Sequence, residues 1–321
     1  MRLHRLSSLA IHSLTALLLT VAACTGGDAP VDGVPPAGAM LQPPAVGVQI
    51  ASPEFVLQPG EEVFKCYYTS IPANSEVAVR RFHSVMTPGS HHMILYAMQD
   101  AAEPDGTFND CGKEAGGTGL RSLRVWLYAS QQPEHEASMP SGVAVPLKAR
   151  QPVMLNLHYL NASPQPLKVR ALINAEYETG RVERAGAFIT FNTTIQIPAH
   201  GTQTVSGRCK APEGGKFFTM STHSHRYTTG ASVSLWQGGR PVHDLVRTDD
   251  WEHPTIAEWG APFMVTSAGD ELGYSCTYKN DTDDVITVGE SASKNEMCMA
   301  VGYYFPAKSS AFCLNSVNIS P

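Results

Sequence analysis

Charged residues are scarce in this chain of 321 residues. Asp, Glu, Lys and Arg together make up 16% of the sequence, and the formal net charge is −6. No block of Lys and Arg occurs anywhere along the chain. A protein that binds nucleic acid through the phosphates needs a concentrated basic patch. The composition therefore gives no indication of a nucleic-acid partner.

Segments in which apolar residues recur with a helical period are also missing. The chain instead contains 27 Gly, 23 Pro and short runs rich in Val, Thr and Tyr, which favour strands separated by turns. Strands without alternating helices favour antiparallel sandwiches. The sequence therefore predicts an all-β fold. The clearest predicted strands are residues 76–81, 93–98, 153–160, 169–175, 188–197, 231–236 and 299–305.

The length exceeds that of one typical sandwich and suits two. The polar stretch 176–184, EYETGRVER, is the best candidate for a domain boundary, and a solvated hairpin is the alternative. We therefore predict two tandem antiparallel β-sandwich domains. They comprise residues 47–178 and 179–321.

Only one long apolar run occurs, and it lies at the N-terminus. It extends from about Leu9 to Ala23 behind a short basic segment, which is typical of a secretory signal. Its end, Val-Ala-Ala-Cys, resembles a bacterial lipobox with Cys24 as the lipidated residue, and an ordinary signal cleaved nearby is the alternative. Residues 1–24 are thus predicted to be a lipoprotein signal peptide.

Residues 25–46 are rich in Gly, Pro and Ala, which predicts a flexible tether. Position 25 is Thr rather than Asp, the usual inner-membrane retention signal of such lipoproteins. We expect the protein in a bacterial cell envelope, anchored at the outer membrane or else periplasmic or secreted. The lipid is expected to be its only membrane contact.

Pairs of cysteines with CxxC spacing are absent, which argues against a cysteine zinc site. Six cysteines remain besides Cys24, and an exported protein meets an oxidising environment, so three disulfides are expected. Six cysteines allow fifteen pairings. A split by domain is the simplest and pairs Cys66 with Cys111. The other four are Cys209, Cys276, Cys298 and Cys313.

Histidines in strand-like runs are the main candidates for metal ligands. His223 and His225 stand two positions apart, which places both on one face of a strand. His158 lies in the run VMLNLHYL. The neighbours His91 and His92 bind one metal only if the backbone is irregular, because adjacent strand residues point to opposite faces. The preceding Thr-Pro-Gly-Ser provides such an irregularity.

Met297 adds a thioether to this set of imidazoles. Thioether and imidazole together favour copper. Each of these residues also has an ordinary interpretation, as a core or surface side chain. The remaining histidines lack paired spacing and are interpreted as structural or surface groups; they include His83, His135, His200, His243 and His253.

The motifs HHMILY, LHY, HSH and NEMC occur in this order, and the chain thereby resembles the type II copper, ascorbate-dependent monooxygenases. The family includes peptidylglycine α-hydroxylating monooxygenase and dopamine β-monooxygenase. The resemblance covers roughly residues 47–306. It implies two antiparallel, jelly-roll-like β-sandwich domains that face each other across a solvent-filled cleft, with one copper ion in each.

The resemblance also assigns roles to residues. It implies that His91, His92 and His158 bind an electron-transfer copper. It implies that His223, His225 and Met297 bind the oxygen-activating copper and are the catalytic ligands. The family arrangement further implies three disulfides: Cys66–Cys111, Cys209–Cys313 and Cys276–Cys298.

The sequence departs from the peptide-amidating members at the substrate site. Ser221 stands where they have a carboxylate-binding arginine, and Met299 and Val301 replace an asparagine and a tyrosine. A peptide C-terminal glycine is therefore not the expected substrate, and the pocket is expected to be more apolar. Glu296 is either a contact for an amine substrate or a solvated carboxylate at a strand end.

The resemblance implies a copper-dependent monooxygenase that hydroxylates a C–H bond of a small molecule. It would use O2, two copper ions and an external reductant such as ascorbate. One alternative is an envelope protein that binds and buffers copper without oxygenase activity, and another is a surface sandwich module whose metal sites have decayed. Neither the substrate nor the oligomeric state follows from the sequence.

Overall fold

The computed structural model describes residues 41–111, 125–289 and 291–319. The predicted signal peptide, Cys24 and residues 25–40 of the predicted tether lie outside them, so lipidation and the envelope location stay predictions. Within the described ranges, no helix has the length and apolar character needed to cross a bilayer. We call residues 41–178 the N-terminal half and residues 179–319 the C-terminal half.

All the regular elements of the N-terminal half that the structure describes are strands. They are β1 (Gly47–Ala51), β2 (Phe55–Leu57), β3 (Glu62–Ser70), β4 (Val77–Met86), β5 (Ser90–Ala97), β6 (Phe108–Asp110), β7 (Val125–Ser130), β8 (Glu134–Ser138), β9 (Val143–Leu147), β10 (Pro152–Leu160), β11 (Leu167–Val169) and β12 (Ala171–Glu178).

The described part of the C-terminal half is likewise built from strands. They are β13 (Glu183–Arg184), β14 (Gly186–Phe191), β15 (Gln196–Ile197), β16 (Thr202–Lys210), β17 (Lys216–His223), β18 (Thr228–Gln237), β19 (Arg240–Thr248), β20 (Ala257–Glu258), β21 (Met264–Val265), β22 (Glu271–Lys279), β23 (Ile286–Thr287), β24 (Met299–Phe305), β25 (Ala311–Leu314) and β26 (Val317–Ile319).

Two sheets form the sandwich of the N-terminal half. One has the order β1-β12-β4-β9-β13 with β8 on β4, and its edge strand β13 comes from the C-terminal half. The other has the order β6-β3-β10-β5-β7. Phe82 of the first sheet packs on Tyr128 of the second with ring centroids 5.3 Å apart. The Tyr128 hydroxyl also shares a hydrogen bond of 2.8 Å with Ser84. The sheets therefore face each other across a closed core.

The C-terminal half has the same architecture. A sheet of order β20-β17-β24-β14-β25-β26, with β21 on β17, packs on a four-stranded sheet of order β16-β22-β18-β19. The Cys209–Cys313 disulfide joins the two sheets, and Cys276–Cys298 joins β22 to the residue before β24. Cys66–Cys111 closes the edge of the β3 sheet in the other half. These are the three pairs that the family arrangement implies.

The all-β sandwich prediction is confirmed, with differences in detail. Residues 188–197 form two strands rather than one, since β14 ends at Phe191 and β15 begins at Gln196. Two strand pairs are parallel rather than antiparallel, β13 with β9 and β14 with β25. Residues 41–46 of the predicted tether lie along the sheet, where the Leu41 carbonyl accepts a hydrogen bond from Gln49 Nε2 at 2.7 Å.

The two halves share one hydrophobic core. Phe218, Met299, Tyr303 and Phe305 of the C-terminal half belong to the same buried cluster as the core residues of the N-terminal half. The Tyr303 hydroxyl donates a hydrogen bond of 2.9 Å to the Leu127 carbonyl in the N-terminal half. The halves are therefore in direct apolar contact over part of their facing surfaces, rather than separated throughout by solvent.

A separate hydrophobic core lies between the two sheets of the C-terminal half and offers a direct test of that sandwich. Phe188 is fully buried there and packs edge-on against Phe217. We expect Phe188→Ala to lower the free energy of unfolding by about 3–5 kcal/mol, because a large buried ring leaves a cavity. Urea denaturation with the disulfides intact measures the change. Val317→Ala, at a position that is 64% exposed, serves as the control and should cost less than about 0.5 kcal/mol.

Candidate metal centre

A β-bulge brings His91 and His92 to the same point. β10 pairs with β5 so that His158 lies opposite His92 and Tyr159 lies opposite Ser90, and the register shifts between these two pairs. His91 is thus the extra residue of a bulge, which follows Gly89 at φ +89°. Because a bulge turns the side chain of the extra residue away from the strand alternation, both neighbouring histidines can face one metal. The predicted irregularity is present.

The Nδ1 atoms of three histidines converge at the bulge. His91 Nδ1 lies 3.0 Å from His92 Nδ1 and 3.0 Å from His158 Nδ1. All three side chains are buried, and together they form a group that has the geometry to hold a metal ion. A proton shared between two of these nitrogens leaves the lone pair of the third without a partner, whereas a metal ion accepts all three lone pairs.

The tautomer of His158 is determined by Glu62 of β3. Burial opposes ionisation of this carboxyl, but hydrogen bonds from His158, Ser293 and Ser291 outweigh it and hold the pKa of Glu62 at about 2. An ionised carboxylate accepts and does not donate. His158 Nε2, at 2.9 Å, must therefore carry the proton. Its Nδ1 is left with a free lone pair that points to His91 and His92.

The second pair of histidines lies where β17 ends. His223 is the last residue of β17, and His225 lies in the following loop, with the two ring centroids 5.3 Å apart. The spacing predicted that His223 and His225 would lie on one face of a continuous strand. This prediction is wrong, because the strand ends between them. The rings are brought together by the end of the strand and by the turn after it, in which Thr228 N–H donates to the His225 carbonyl at 3.0 Å.

The tautomers of this pair leave both Nε2 atoms available. His225 Nδ1 lies 3.1 Å from the Asn295 carbonyl, which only accepts, so Nδ1 carries the proton. His223 Nδ1 lies 2.8 Å from Gln131 Oε1. Gln131 Nε2 donates to the Trp251 carbonyl at 3.1 Å, which fixes the amide with its oxygen towards His223. Each histidine thus presents an unprotonated Nε2.

Met297 lies close to the end of the sheet that carries this pair, and two contacts hold its backbone. Residue Met299 pairs with His223 across β24 and β17, which places Met297 at the same end of the sheet. The Met297 carbonyl accepts a hydrogen bond of 2.9 Å from Tyr278, and the next residue forms the disulfide with Cys276. The methionine is 5% exposed. Its backbone is therefore fixed on both sides of the buried side chain.

Glu296 has a structural role that neither prediction for it described. The side chain is fully buried. It accepts backbone hydrogen bonds from His225 at 2.9 Å, Tyr227 at 2.6 Å and Met297 at 3.2 Å. Burial raises the pKa of Glu296 to about 7, against the opposing effect of these hydrogen bonds. Glu296 is thus neither a substrate contact nor a solvated carboxylate: it shapes the loop that carries His225.

The two histidine sets meet directly. The ring centroid of His223 lies 5.3 Å from that of His92 and 6.1 Å from that of His91, and the His225 centroid lies 5.6 Å from that of His91. The family arrangement implies sites that face each other across solvent. In this structure the five buried histidines form one continuous group, because the two halves are docked. The group comprises His91, His92, His158, His223 and His225.

The five buried histidines are uncharged in the folded protein. Burial lowers the pKa of all five, and the neighbouring histidines lower most of them further. For His223 the value falls to about 4. A neutral imidazole is the form that binds metal. The group is therefore held ready for a cation at neutral pH.

A buried nitrogen without a partner indicates that the group suits a metal ion. His225 Nε2, the unprotonated nitrogen of that ring, is buried without a hydrogen-bond partner. An unsatisfied buried polar atom costs on the order of 1–3 kcal/mol, so a fold retains such atoms at functional sites. Imidazole nitrogens with one thioether are a donor set that copper accepts. The residues present thus fit copper.

Other histidines lie apart from this group, as predicted. His83 contacts Glu134 at 2.9 Å, His200 contacts Asp283 at 2.7 Å, and His253 contacts Asp250 at 3.3 Å. Each of these contacts joins an imidazole to a carboxylate at or near the surface. His135 is the most buried of these histidines, and its Nδ1 shares a hydrogen bond of 2.8 Å with Tyr128. Each of these rings is occupied by an oxygen partner.

A cavity of about 1080 Å³ opens beside the histidines, lined by both halves. One residue of each set, His92 and His223, forms part of its wall. Aromatic rings supply much of the rest, and its charged residues are carboxylates: Glu136, Glu183 and Glu258. No Lys or Arg occurs among the described residues that line it. The aromatic lining residues are Trp126, Tyr128, Phe218, Trp259, Phe263, Tyr303 and Phe305.

Two of the four predicted substrate-pocket residues line the cavity, and two do not. Ser221 and Val301 line the cavity, at neighbouring positions of β17 and β24. The Ser221 hydroxyl donates to the Thr255 carbonyl at 2.9 Å. Met299 does not line the cavity, because it lies in the core between the halves. Glu296 is also absent from the cavity wall, for the reason given above.

Several functional side chains escaped prediction. Four of them bond to the histidines or join the two halves: Glu62, Gln131, Ser291 and Ser293. A fifth is Trp251, whose ring centroid lies 5.4 Å from that of His91. None of these residues stands in a motif with metal-ligand spacing. Their contacts span 92 or more positions of the chain. Only the tertiary fold brings them to the site.

Comparisons with known proteins show similarity to copper monooxygenases. Residues 183–320 match the family model described as the C-terminal domain of copper type II ascorbate-dependent monooxygenases. Dopamine beta-hydroxylase of Equus caballus is 26% identical over 305 residues, which cover 84% of this chain and 48% of that protein. Tyramine beta-hydroxylase of Caenorhabditis briggsae is 22% identical over 288 residues, which cover 81% and 48%. The chain spans about half the length of the curated relatives it matches.

Among solved structures, the major capsid protein P2 from Bacteriophage PM2 is similar at a TM-score of 0.35 and 10% identity. The match covers 79% of this chain and 97% of that chain. A likeness at this level carries no functional argument.

The buried, uncharged histidines make the stability of the metal-free protein depend on pH. The unfolded chain takes up protons near the ordinary pKa of about 6.5, whereas His223 stays neutral to about pH 4 in the folded state. The unfolded state thus binds more protons as the pH falls below 6.5. We expect the free energy of unfolding to decrease over this window by up to about 1.4 kcal/mol per pH unit for each buried histidine.

Chemical denaturation of the metal-free protein between pH 7.5 and 4.5 measures this slope. The variant His92→Gln should make the slope shallower, because it removes one buried titrating group. His200→Gln is the control, since that side chain is 63% exposed, and it should leave the slope unchanged. Equal slopes for wild type and His92→Gln would contradict the assignment of a buried neutral ring.

Proposed function

We propose that this chain is a member of the copper type II, ascorbate-dependent monooxygenase family, because residues 183–320 match the C-terminal domain of that family. We further propose that it is an oxidoreductase that hydroxylates a C–H bond of a small molecule. It uses O2 and an external reductant such as ascorbate. The observation that carries the proposal is the gathering of five neutral histidines beside a cavity of organic-substrate size. A protein that only buffered copper would not need such a cavity.

The proposal includes two copper ions. The set His91, His92 and His158 presents three Nδ1 atoms, and the set His223, His225 and Met297 presents two Nε2 atoms and a thioether. Copper held by the three imidazoles would supply one-electron chemistry, and copper held by two imidazoles and a weak thioether would supply oxygen chemistry. The different donors of the two sets support this division of roles.

The protein's own part is to hold the ligands and exclude water. Glu62, Gln131 and the Asn295 carbonyl each hold the proton on the nitrogen that does not face the metal. Such partners orient a metal-binding imidazole and increase its basicity. The burial of all five rings keeps bulk water from the lone pairs. The ligands are thus arranged in advance of metal binding.

The cavity supports an apolar, ring-bearing substrate without negative charge. The aromatic rings of the wall offer stacking partners for a ring. The wall also contains three carboxylates and, among its described residues, no lysine or arginine, so it repels anions. Ser221 stands where the peptide-amidating members have an arginine, so a substrate carboxylate has no partner there. The named substrates of the relatives, dopamine and tyramine, are aromatic amines. A neutral or cationic aromatic compound fits these features.

Metal analysis tests the proposed ligand sets. The protein purified with copper should contain about two copper ions per chain. We expect His225→Ala to lose about one, because it removes an imidazole from a site with only two. We expect Met297→Ala to lose less copper but most of the activity, because a thioether binds weakly. Activity is followed as O2 consumption with ascorbate and a panel of aromatic amines.

His135→Ala provides the matched control for this experiment. His135 also lines the cavity but bonds to Tyr128 rather than facing the other histidines. It should keep both copper ions. Oxygen consumption that is independent of Met297 would overturn the monooxygenase proposal. Tight copper binding without any O2 consumption would instead favour the copper-buffering alternative.

Substitution of Ser221 tests the substrate class. Ser221→Arg places a cation in a wall that now has carboxylates as its charged groups. We expect KM for aromatic amines to rise by about tenfold or more, which corresponds to roughly 1.4 kcal/mol, and aromatic carboxylates to become better ligands. Thr229→Arg, on an exposed strand position, is the control. An unchanged preference between amines and carboxylates in Ser221→Arg would contradict the proposed site.

A further inference from the structure

One carboxylate joins a histidine of the first set to the opposite half of the molecule. Glu62 Oε1 accepts hydrogen bonds from His158 Nε2 at 2.9 Å and from Ala292 N–H at 3.1 Å. Glu62 Oε2 accepts from Ser291 Oγ and from Ser293 Oγ, each at 2.8 Å. Glu62 and His158 belong to the N-terminal half, and the other three donors belong to the C-terminal half. The Glu62 side chain is 15% exposed.

One amide makes the corresponding connection for the second set. Gln131 follows β7 in the N-terminal half, yet its Oε1 accepts the proton of His223 Nδ1 in the C-terminal half at 2.8 Å. Its Nε2 donates to the Trp251 carbonyl, also in the C-terminal half. His223 therefore obtains the partner for its non-ligand nitrogen from the other half. If the halves separated, this nitrogen would lose that partner.

The same residue segment that bonds to Glu62 leads to the second metal set. Ser293 and Met297 are four positions apart, and between them the Asn295 carbonyl accepts from His225 and Glu296 cradles the backbone of the His225 loop. Bonds at residues 291–293 thus restrain the chain that carries the thioether. Glu62 is in contact with one set directly and with the other through this short segment.

We propose that Glu62 and Gln131 are positioning residues that couple metal binding to the docking of the two halves. This inference rests on the proposed metal-binding role of the histidines. Docking supplies the hydrogen-bond partners that orient the ligands, so metal binds the docked arrangement more tightly. By linkage, metal ions must in turn stabilise docking. The loss of such an outer partner typically weakens metal binding by about 10–100-fold.

The double variant Ser291→Ala/Ser293→Ala is the decisive test. It leaves the bonds of Glu62 to His158 and to Ala292 N–H in place and removes two bonds between the halves. If Glu62 acted only on its own histidine, copper affinity would not change. Coupling instead predicts a copper Kd at the three-histidine set that is about tenfold higher. The Kd is measured by competition with a chelator in a His225→Ala background, in which the other set is disabled.

Gln131→Ala tests the opposite direction. It changes the N-terminal half, and coupling predicts a Kd about tenfold higher at the set of the C-terminal half, measured in a His158→Ala background. Small-angle scattering is the second readout: copper should reduce the radius of gyration more in these variants than in wild type, since they start less fully docked. Glu54→Gln is the control, because Glu54 pairs with Lys168 away from the site, and it should match wild type.

The outcomes separate the two levels of the proposal. If folded wild-type protein binds no copper, the proposed function fails, and the coupling fails with it. If wild type binds two copper ions but both variants keep wild-type Kd values, only the coupling is overturned. Higher Kd values with an altered radius of gyration support it. Circular dichroism of the metal-free variants establishes that they are folded, so that lost affinity is not lost structure.

Discussion

The arrangement of the whole molecule depends on keeping five uncharged imidazoles together in a buried space. Each neutral ring has one N–H and one lone pair, so a ligand nitrogen is free only if the other nitrogen has an acceptor. Glu62, Gln131 and the Asn295 carbonyl are these acceptors for His158, His223 and His225. They come from three different segments of the chain. Sheet register, loop shape and contact between the halves must therefore all be correct at once.

The fold meets this requirement with irregular features placed on regular sheets. A bulge after Gly89 brings His91 beside His92, and the end of β17 releases His225 into a loop. Glu296 then holds that loop through the backbone N–H groups of His225 and Tyr227. The Cys276–Cys298 disulfide fixes the residue next to Met297 to the opposite sheet. The sheets supply rigidity, and the irregular positions set the directions of the histidine side chains.

The sequence predicted the parts that depend on local pattern. Strand-like runs with Gly and Pro turns predicted the all-β fold, and the resemblance implied the disulfides that the structure contains. The Thr-Pro-Gly-Ser segment predicted the irregularity at His91. Prediction from the sequence failed where distant segments meet. Glu296 is a charged residue of the kind expected at the surface, and only the fold shows that its carboxylate is buried among backbone donors. Glu62 and Gln131 lie outside every motif for the same reason.

The contact between the two halves bears on the chemistry as well as on stability. The cavity wall contains His92 from one set and His223 from the other, with ring centroids 5.3 Å apart. A substrate in that cavity would thus lie next to both sets at once, in a space lined by the two halves. Separated halves would expose the lone pairs to water and remove the Gln131 partner from His223. The orientation of the histidines, their shielding from water and the shape of the cavity wall therefore all depend on the same contact between the halves.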